Sequence, residues 1–237
     1  MIKQIPNIIT LLNLLSGCIA ITMAFIGNFG SVIIWILIAA IFDFLDGMTA
    51  RLLKSYSTLG KQLDSLADVV SFGVAPAAAL FVIIRDYITL PSFLDPISFY
   101  VPYIAFIIPM FAAYRLAKFN IDERQTTSFL GLPTPANGLF WIAYCYEMQN
   151  ITDSSFYVFW FTIILILTTS WLMISEIPMF SLKVKNTGIK GNERQLLLLI
   201  LIVAFIAIWG IVGISFGIIA YITISVITQN RDKQSVK

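Results

Sequence analysis

Long, uninterrupted apolar runs separated by short polar clusters dominate the chain. They predict eight helical spans, at about 8–26, 31–52, 63–84, 98–117, 136–149, 155–175, 195–210 and 212–229, with seven as the alternative count. The runs do not alternate with period two, which excludes a transmembrane β-barrel. The fifth and seventh are short, a length compatible with a tilted, broken or partly re-entrant segment. Only the region from Gly210 to Gly213 separates the last two, so they read as a tight helical hairpin. Pro6 suits a helix start, where its missing N–H costs nothing. The opening Met1-Ile-Lys-Gln-Ile-Pro6 has little charge and no small-x-small cleavage site, so it is expected to be retained.

Composition sharpens this picture. Of 237 residues, 59% are hydrophobic and 12% charged, against about 25% charged in soluble domains. Eight spans of about 20 residues would occupy about two-thirds of the chain, which excludes a soluble enzyme. Counting basic residues in alternate loops places every Lys and Arg except Arg85 on one side, from Lys3 through the Arg51–Lys61, Arg115–Arg124 and Lys183–Arg194 groups to Lys237. Both termini are therefore expected in the cytoplasm. Many of these charges have a plain role at the anionic lipid surface. The absence of histidine excludes Ser-His and Cys-His catalysis, His-ligated zinc and haem on a proximal His. Cys18 and Cys145 are solitary and are expected as buried small side chains. No internal repeat or interdomain linker is evident.

Carboxylates interrupt this apolar pattern where lipid would oppose them most. The second span ends Asp43-Phe-Leu-Asp46-Gly47-Met-Thr-Ala50-Arg51, and the third begins Gly60-Lys-Gln-Leu-Asp64-Ser-Leu-Ala-Asp68. At 100° per residue, positions 43, 46, 47, 50 and 51 share an arc of about 140°, and positions 60, 64 and 68 one of about 80°. The two helices are consecutive and antiparallel, so these stripes can face each other, with Asp43 about 12 Å deeper than Arg51. Four aspartates without compensation would cost up to about 10 kcal/mol. Arg51 is the one fixed cation of the group. Hard divalent cations supply the missing charge, and a two-metal arrangement suits displacement at phosphorus. Small residues on the same face, Gly47, Ala50 and Gly60, leave room for a ligand or a neighbouring backbone.

The full spacing from Asp43 to Asp68, Asp-x2-Asp-Gly-x2-Ala-Arg-x8-Gly-x3-Asp-x3-Asp, resembles the signature of the CDP-alcohol phosphatidyltransferases. The resemblance implies an all-α polytopic membrane fold with a six-helix core (about 6–175) around a polar cavity open to the cytoplasm. The C-terminal hairpin (about 195–229) would complete a single catalytic domain, 1–237, of the cytoplasmic membrane. It also implies two divalent ions, Mg²⁺ or Mn²⁺, and a homodimer, with no nucleic-acid partner. Asp43, Asp46, Asp64 and Asp68 would be metal ligands, and Asp68 also the catalytic general base. Pro6, Asn7, Ile8, Ile9, Gly47, Ala50, Arg51, Ser57 and Gly60 would meet the CDP-lipid donor.

The flanks resemble the phosphatidylserine synthase branch: Asp64 to Pro76, then Arg115-Leu-Ala-Lys118-Phe119-Asn120, then Phe129 to Gly138. The implied substrates are CDP-diacylglycerol and L-serine. Arg115 can pair bidentately with a carboxylate, while Asn120, Thr134 and Asn137 offer neutral donors and acceptors and Ser71 lines the same pocket. The plainer reading makes Arg115 and Lys118 charge anchors and Pro133 to Asn137 a helix-opening turn. A phosphorylated polyol is the alternative acceptor, and would call for a denser basic pocket. A divalent-cation transporter is the alternative class, since membrane-embedded aspartates also line ion paths. No second polar stripe completes such a path here.

Overall fold

The computed structural model describes residues 4–55, 57–122, 129–151, 155–180 and 192–234. Lys3, Arg124, Lys183, Lys185, Lys190 and Lys237 of the charge count lie outside them.

The helices α1 (Ile5–Ile26) and α2 (Phe29–Leu52) form an antiparallel hairpin. Gly27 turns the chain at φ 81°, a left-handed conformation that glycine adopts without steric cost, and the Asn28 side chain caps α2 by accepting from Ser31 N–H at 3.0 Å. The buried face of α1 is small or polar: Pro6, Thr10, Asn13, Ser16, Gly17, Ala20 and Ala24. Its large apolar residues, including Ile8, Leu11 and Leu15, point outward. That inversion is the expected pattern in lipid, where bulky side chains face acyl chains and small ones let helices approach. Cys145 is buried as expected, whereas Cys18 is exposed, because it continues the outward stripe of Leu11 and Leu15.

The third span is a helix from Thr58 to Asp86 that changes geometry midway. It runs as α3 (Thr58–Asp68), widens to a π-helical segment over Val69–Val74, and resumes as α4 (Ala75–Asp86). Pro76 supplies the cause: it has no N–H for the carbonyl of Phe72, and its ring crowds that carbonyl. The π segment packs against α1, α6 and α5 (Ile107–Ile121), the last of which is preceded by a 3-10 turn over Val101–Phe106. Two glycines permit this closeness. A Cβ on Gly17 would collide with the Oγ of Ser71, and one on Gly138 would lie 2.9 Å from the Phe72 carbonyl oxygen.

Helices α6 (Thr134–Met148) and α7 (Phe156–Ile174) complete the inner group. Trp141 Nε1 donates to Thr169 Oγ1 at 3.1 Å, and Tyr144 and Thr162 share a hydroxyl–hydroxyl bond of 2.5 Å. A short antiparallel pairing joins β1 (Phe129–Leu130) to β2 (Pro178–Met179). Helices α8 (Glu193–Trp209) and α9 (Gly213–Gln234) turn back on each other at Gly210, φ 63°. This hairpin is anchored to α6 by Ser215 Oγ, which donates to the Phe140 carbonyl at 2.9 Å.

The chain is thus an all-α polytopic membrane protein. The eight apolar helical segments stand in the predicted order, and six stretches qualify as membrane-crossing by length and hydropathy alone. The difference is local. α6 has only 15 residues, and α8 with most of α9 counts as one stretch, Glu193–Thr228. At the end of the bundle away from the carboxylates, Arg85 pairs with Asp86 at 2.7 Å and lies over the Phe81 ring, beside Tyr103 and Phe106.

Candidate active site

A compact return connects the two carboxylate helices. Lys54 takes a left-handed φ of 49°, Ser55 N–H bonds back to the Ala50 carbonyl at 3.0 Å, and Ser57 caps α3 by accepting from Gly60 N–H at 2.9 Å. The stripes on α2 and α3 consequently meet. Carboxylate oxygens of Asp43, Asp64 and Asp68 all lie within 4.8 Å of one another. Asp46 stands outside that triplet but within electrostatic reach of Asp43 and Asp64.

Among the described residues, no Lys or Arg lies within salt-bridge distance of the four carboxylates. One oxygen, Asp64 Oδ1, is buried without a hydrogen-bond partner. Like charges converging in this way are stabilised by a compensating cation. An acceptor-only set of carboxylate oxygens suits hard divalent ions such as Mg²⁺ or Mn²⁺. The residues present therefore fit such ions.

Helix α1 supplies a second layer that the motif does not contain. Thr10 Oγ1 lies 2.6 Å from Asp46 Oδ2 and 3.0 Å from the Pro6 carbonyl, so its single proton bonds to one of them at a time. Asn13, fully buried, donates through Nδ2 to Asp68 Oδ1 at 3.4 Å. Sequence reasoning passed over both. Their signal was the polar stripe Thr10, Asn13, Ser16 inside an otherwise apolar span, which must find partners away from lipid.

The donor-side candidates divide. Asn7 and Gly60 are adjacent, since a Cβ on Gly60 would lie 3.0 Å from Ser57 Oγ and 3.1 Å from Asn7 Oδ1. The start of α1 and the Ser57 cap therefore form one wall. Pro6 is buried beneath it and Ile9 half-buried, while Ile8 points outward. A Cβ on Gly47 would meet nothing within 4 Å, so that face of α2 borders open space. Ala50 is half-buried beside it, and Arg51 is exposed in the last turn.

On the acceptor side, Arg115 is only 8% exposed; its Nη1 donates to Thr134 Oγ1 at 3.1 Å, and its Nε is buried without a partner. It lies within electrostatic reach of Asp68 and of Tyr221 on α9. Tyr221 in turn donates to the Phe180 carbonyl at 3.1 Å, so the C-terminal hairpin reaches the back of the site. Asn137 is fully buried, and neither its Oδ1 nor its Nδ2 has a hydrogen-bond partner. The two remaining candidates are engaged within the fold. Asn120 donates to Ser65 Oγ at 2.8 Å, and Ser71 donates to the Asn13 carbonyl at 3.0 Å. Lys118 lies 3.7 Å from Glu176.

Comparison with known proteins places the chain among relatives of similar sequence. A CDP-diacylglycerol–serine O-phosphatidyltransferase of Methanocaldococcus jannaschii is 35% identical over 176 residues, 74% of this chain and 73% of that protein. The Bacillus subtilis protein of the same name is 33% identical over 137 residues, 58% of this chain and 72% of the relative. An archaetidylserine synthase of Methanothermobacter thermautotrophicus is 31% identical over 180 residues, 73% of this chain and 68% of its own length. The family profile of the CDP-alcohol phosphatidyltransferases matches residues 3–171, covering every carboxylate of the cluster together with Arg115, Thr134 and Asn137. With its carboxylate spacing, its helical bundle and this match in agreement, the chain belongs to the CDP-alcohol phosphatidyltransferase family.

Proposed function

We propose that the protein is a CDP-diacylglycerol–serine O-phosphatidyltransferase, acting at the cytoplasmic face of the cytoplasmic membrane with both termini inside. The serine hydroxyl oxygen bonds to the phosphorus that carries diacylglycerol. The bond from that phosphorus to the cytidine monophosphate oxygen breaks, and the products are phosphatidylserine and cytidine monophosphate. Asp68 takes the hydroxyl proton. A carboxylate is a weak base for an alcohol, so much of the rate enhancement comes from orientation. Two divalent ions held by Asp43, Asp46, Asp64 and Asp68 would supply charge neutralisation for the donor's pyrophosphate. Thr10 steadies Asp46 from α1. The wall of Asn7, Ser57 and Gly60 and the open face at Gly47, Ala50 and Arg51 receive the cytidine and pyrophosphate. The catalytic domain comprises the core and the C-terminal hairpin, and two copies form a homodimer.

The observation that carries the choice of acceptor is Arg115. It is a buried guanidinium with an unpartnered Nε, close to Asp68 and bonded to Thr134, which lies one turn before the unpartnered amide of Asn137 on α6. One planar cation with neutral polar neighbours matches a single carboxylate. A phosphorylated acceptor brings about two negative charges, and the next cation along α5, Lys118, faces Glu176. The test is purified protein with CDP-diacylglycerol and Mg²⁺ or Mn²⁺, assayed for cytidine monophosphate release with serine, ethanolamine, glycerol 3-phosphate and inositol phosphate. Serine is the expected acceptor; preference for either phosphorylated alcohol would overturn the reading.

A further inference from the structure

We infer that Asn13 is a specificity-determining residue of the acceptor site, its side-chain carbonyl oxygen receiving the ammonium group of serine. The inference rests on serine being the acceptor. Asn13 Oδ1 is buried and has no hydrogen-bond partner, although the residue is fully enclosed. A carbonyl oxygen left unpaired in a protein interior is costly, so its persistence points to a partner that arrives with a ligand.

The amide's orientation identifies that partner. Nδ2 faces Asp68 Oδ1 at 3.4 Å. The flipped amide would set a carbonyl against a carboxylate, so charge assigns Oδ1 to the other side. Ser71 holds the backbone beneath it, donating to the Asn13 carbonyl at 3.0 Å, and Gly17, one turn further along α1, lets Ser71 approach. Asp68 and Asn13 Oδ1 are thus two acceptors separated by the width of one amide group. Serine carries its hydroxyl and ammonium on adjacent carbons, so a hydroxyl at Asp68 brings the ammonium to a neighbouring acceptor. Arg115, within reach of Asp68, is left for the carboxylate. All three polar groups of the amino acid then have partners of opposite character, two from charged side chains and one from a neutral amide that adds no further negative charge beside the carboxylate cluster.

The experiment compares wild type with Asn13→Ala and with the smaller polar Asn13→Ser, using the full chain in detergent with CDP-diacylglycerol. The acceptors are L-serine and 3-hydroxypropionate, which is serine without its amino group. Mn²⁺ affinity is measured separately by calorimetry. For Asn13→Ala, kcat/KM for serine falls about 10- to 100-fold, the range for a hydrogen bond to a charged group. The value for 3-hydroxypropionate falls less, only by what the lost contact to Asp68 costs both acceptors, so discrimination between the two narrows. Asn13→Ser lies between. Unchanged discrimination in either variant overturns the assignment. So does an equal fall for both acceptors with weakened Mn²⁺ binding, which would make Asn13 a positioning residue for Asp68. Wild type that ignores serine overturns the acceptor reading itself, a result distinct from both.

Discussion

Replacing Arg115 with alanine removes the one buried cation among the described residues. The guanidinium is 8% exposed, so solvent screening is slight and the lost interaction is close to that of an enclosed, hydrogen-bonded charge pair. Truncating one partner of such a pair costs about 2–5 kcal/mol, a fall of roughly 30- to 5,000-fold in kcat/KM for serine. Part of that cost is already present without substrate, because Thr134 Oγ1 loses the donor that holds it at 3.1 Å. Arg115→Lys separates the contributions: it keeps the charge but loses the planar fork, and should recover only part of the loss. Initial rates of cytidine monophosphate release at varied serine, alongside calorimetric binding of CDP-diacylglycerol, measure both sides of the site. Donor affinity should change little, and thermal unfolding in detergent checks that the bundle is intact. Ethanolamine, which has no carboxylate, should be a poor acceptor for wild type and indifferent to the substitution. If Arg115→Ala is folded and uses serine as wild type does, the carboxylate does not bind there and the reasoning from burial fails.

Chelation should abolish turnover, and Mg²⁺ or Mn²⁺ should restore it, with Ca²⁺ a poor substitute because its looser coordination suits the site less; full activity after exhaustive chelation would remove the metal account. Asp46→Asn and Asp64→Asn should lower both metal affinity and rate, whereas Asp68→Asn should lower turnover more than donor binding, and near-normal turnover would exclude Asp68 as the base. Gly138→Ala places a Cβ 2.9 Å from the Phe72 carbonyl, so it should destabilise the bundle by about 1–3 kcal/mol; an unchanged melting temperature would mean that α6 and the π segment separate without cost.

The amino-acid sequence by itself determined the membrane class, the order of the helices and the two aspartate stripes. These are local properties: an apolar run of sufficient length must be helical in lipid, and 100° per residue sets which side chains share a face. Even the position of the π segment had a local cause in Pro76. Tertiary structure decided the rest, because rotation of each helix about its axis is set by what packs against it. Thr10 reaches Asp46 across 36 residues of chain and Asn13 reaches Asp68 across 55, and no periodicity within α1 names those partners. They meet because Gly17 admits Ser71 and Gly138 admits the backbone at Phe72, which draws α1 and α6 onto the widened turn beside Asp68. The same packing engaged Asn120 with Ser65 and left Asn137 unpaired, although both are neutral amides that the sequence alone could not tell apart.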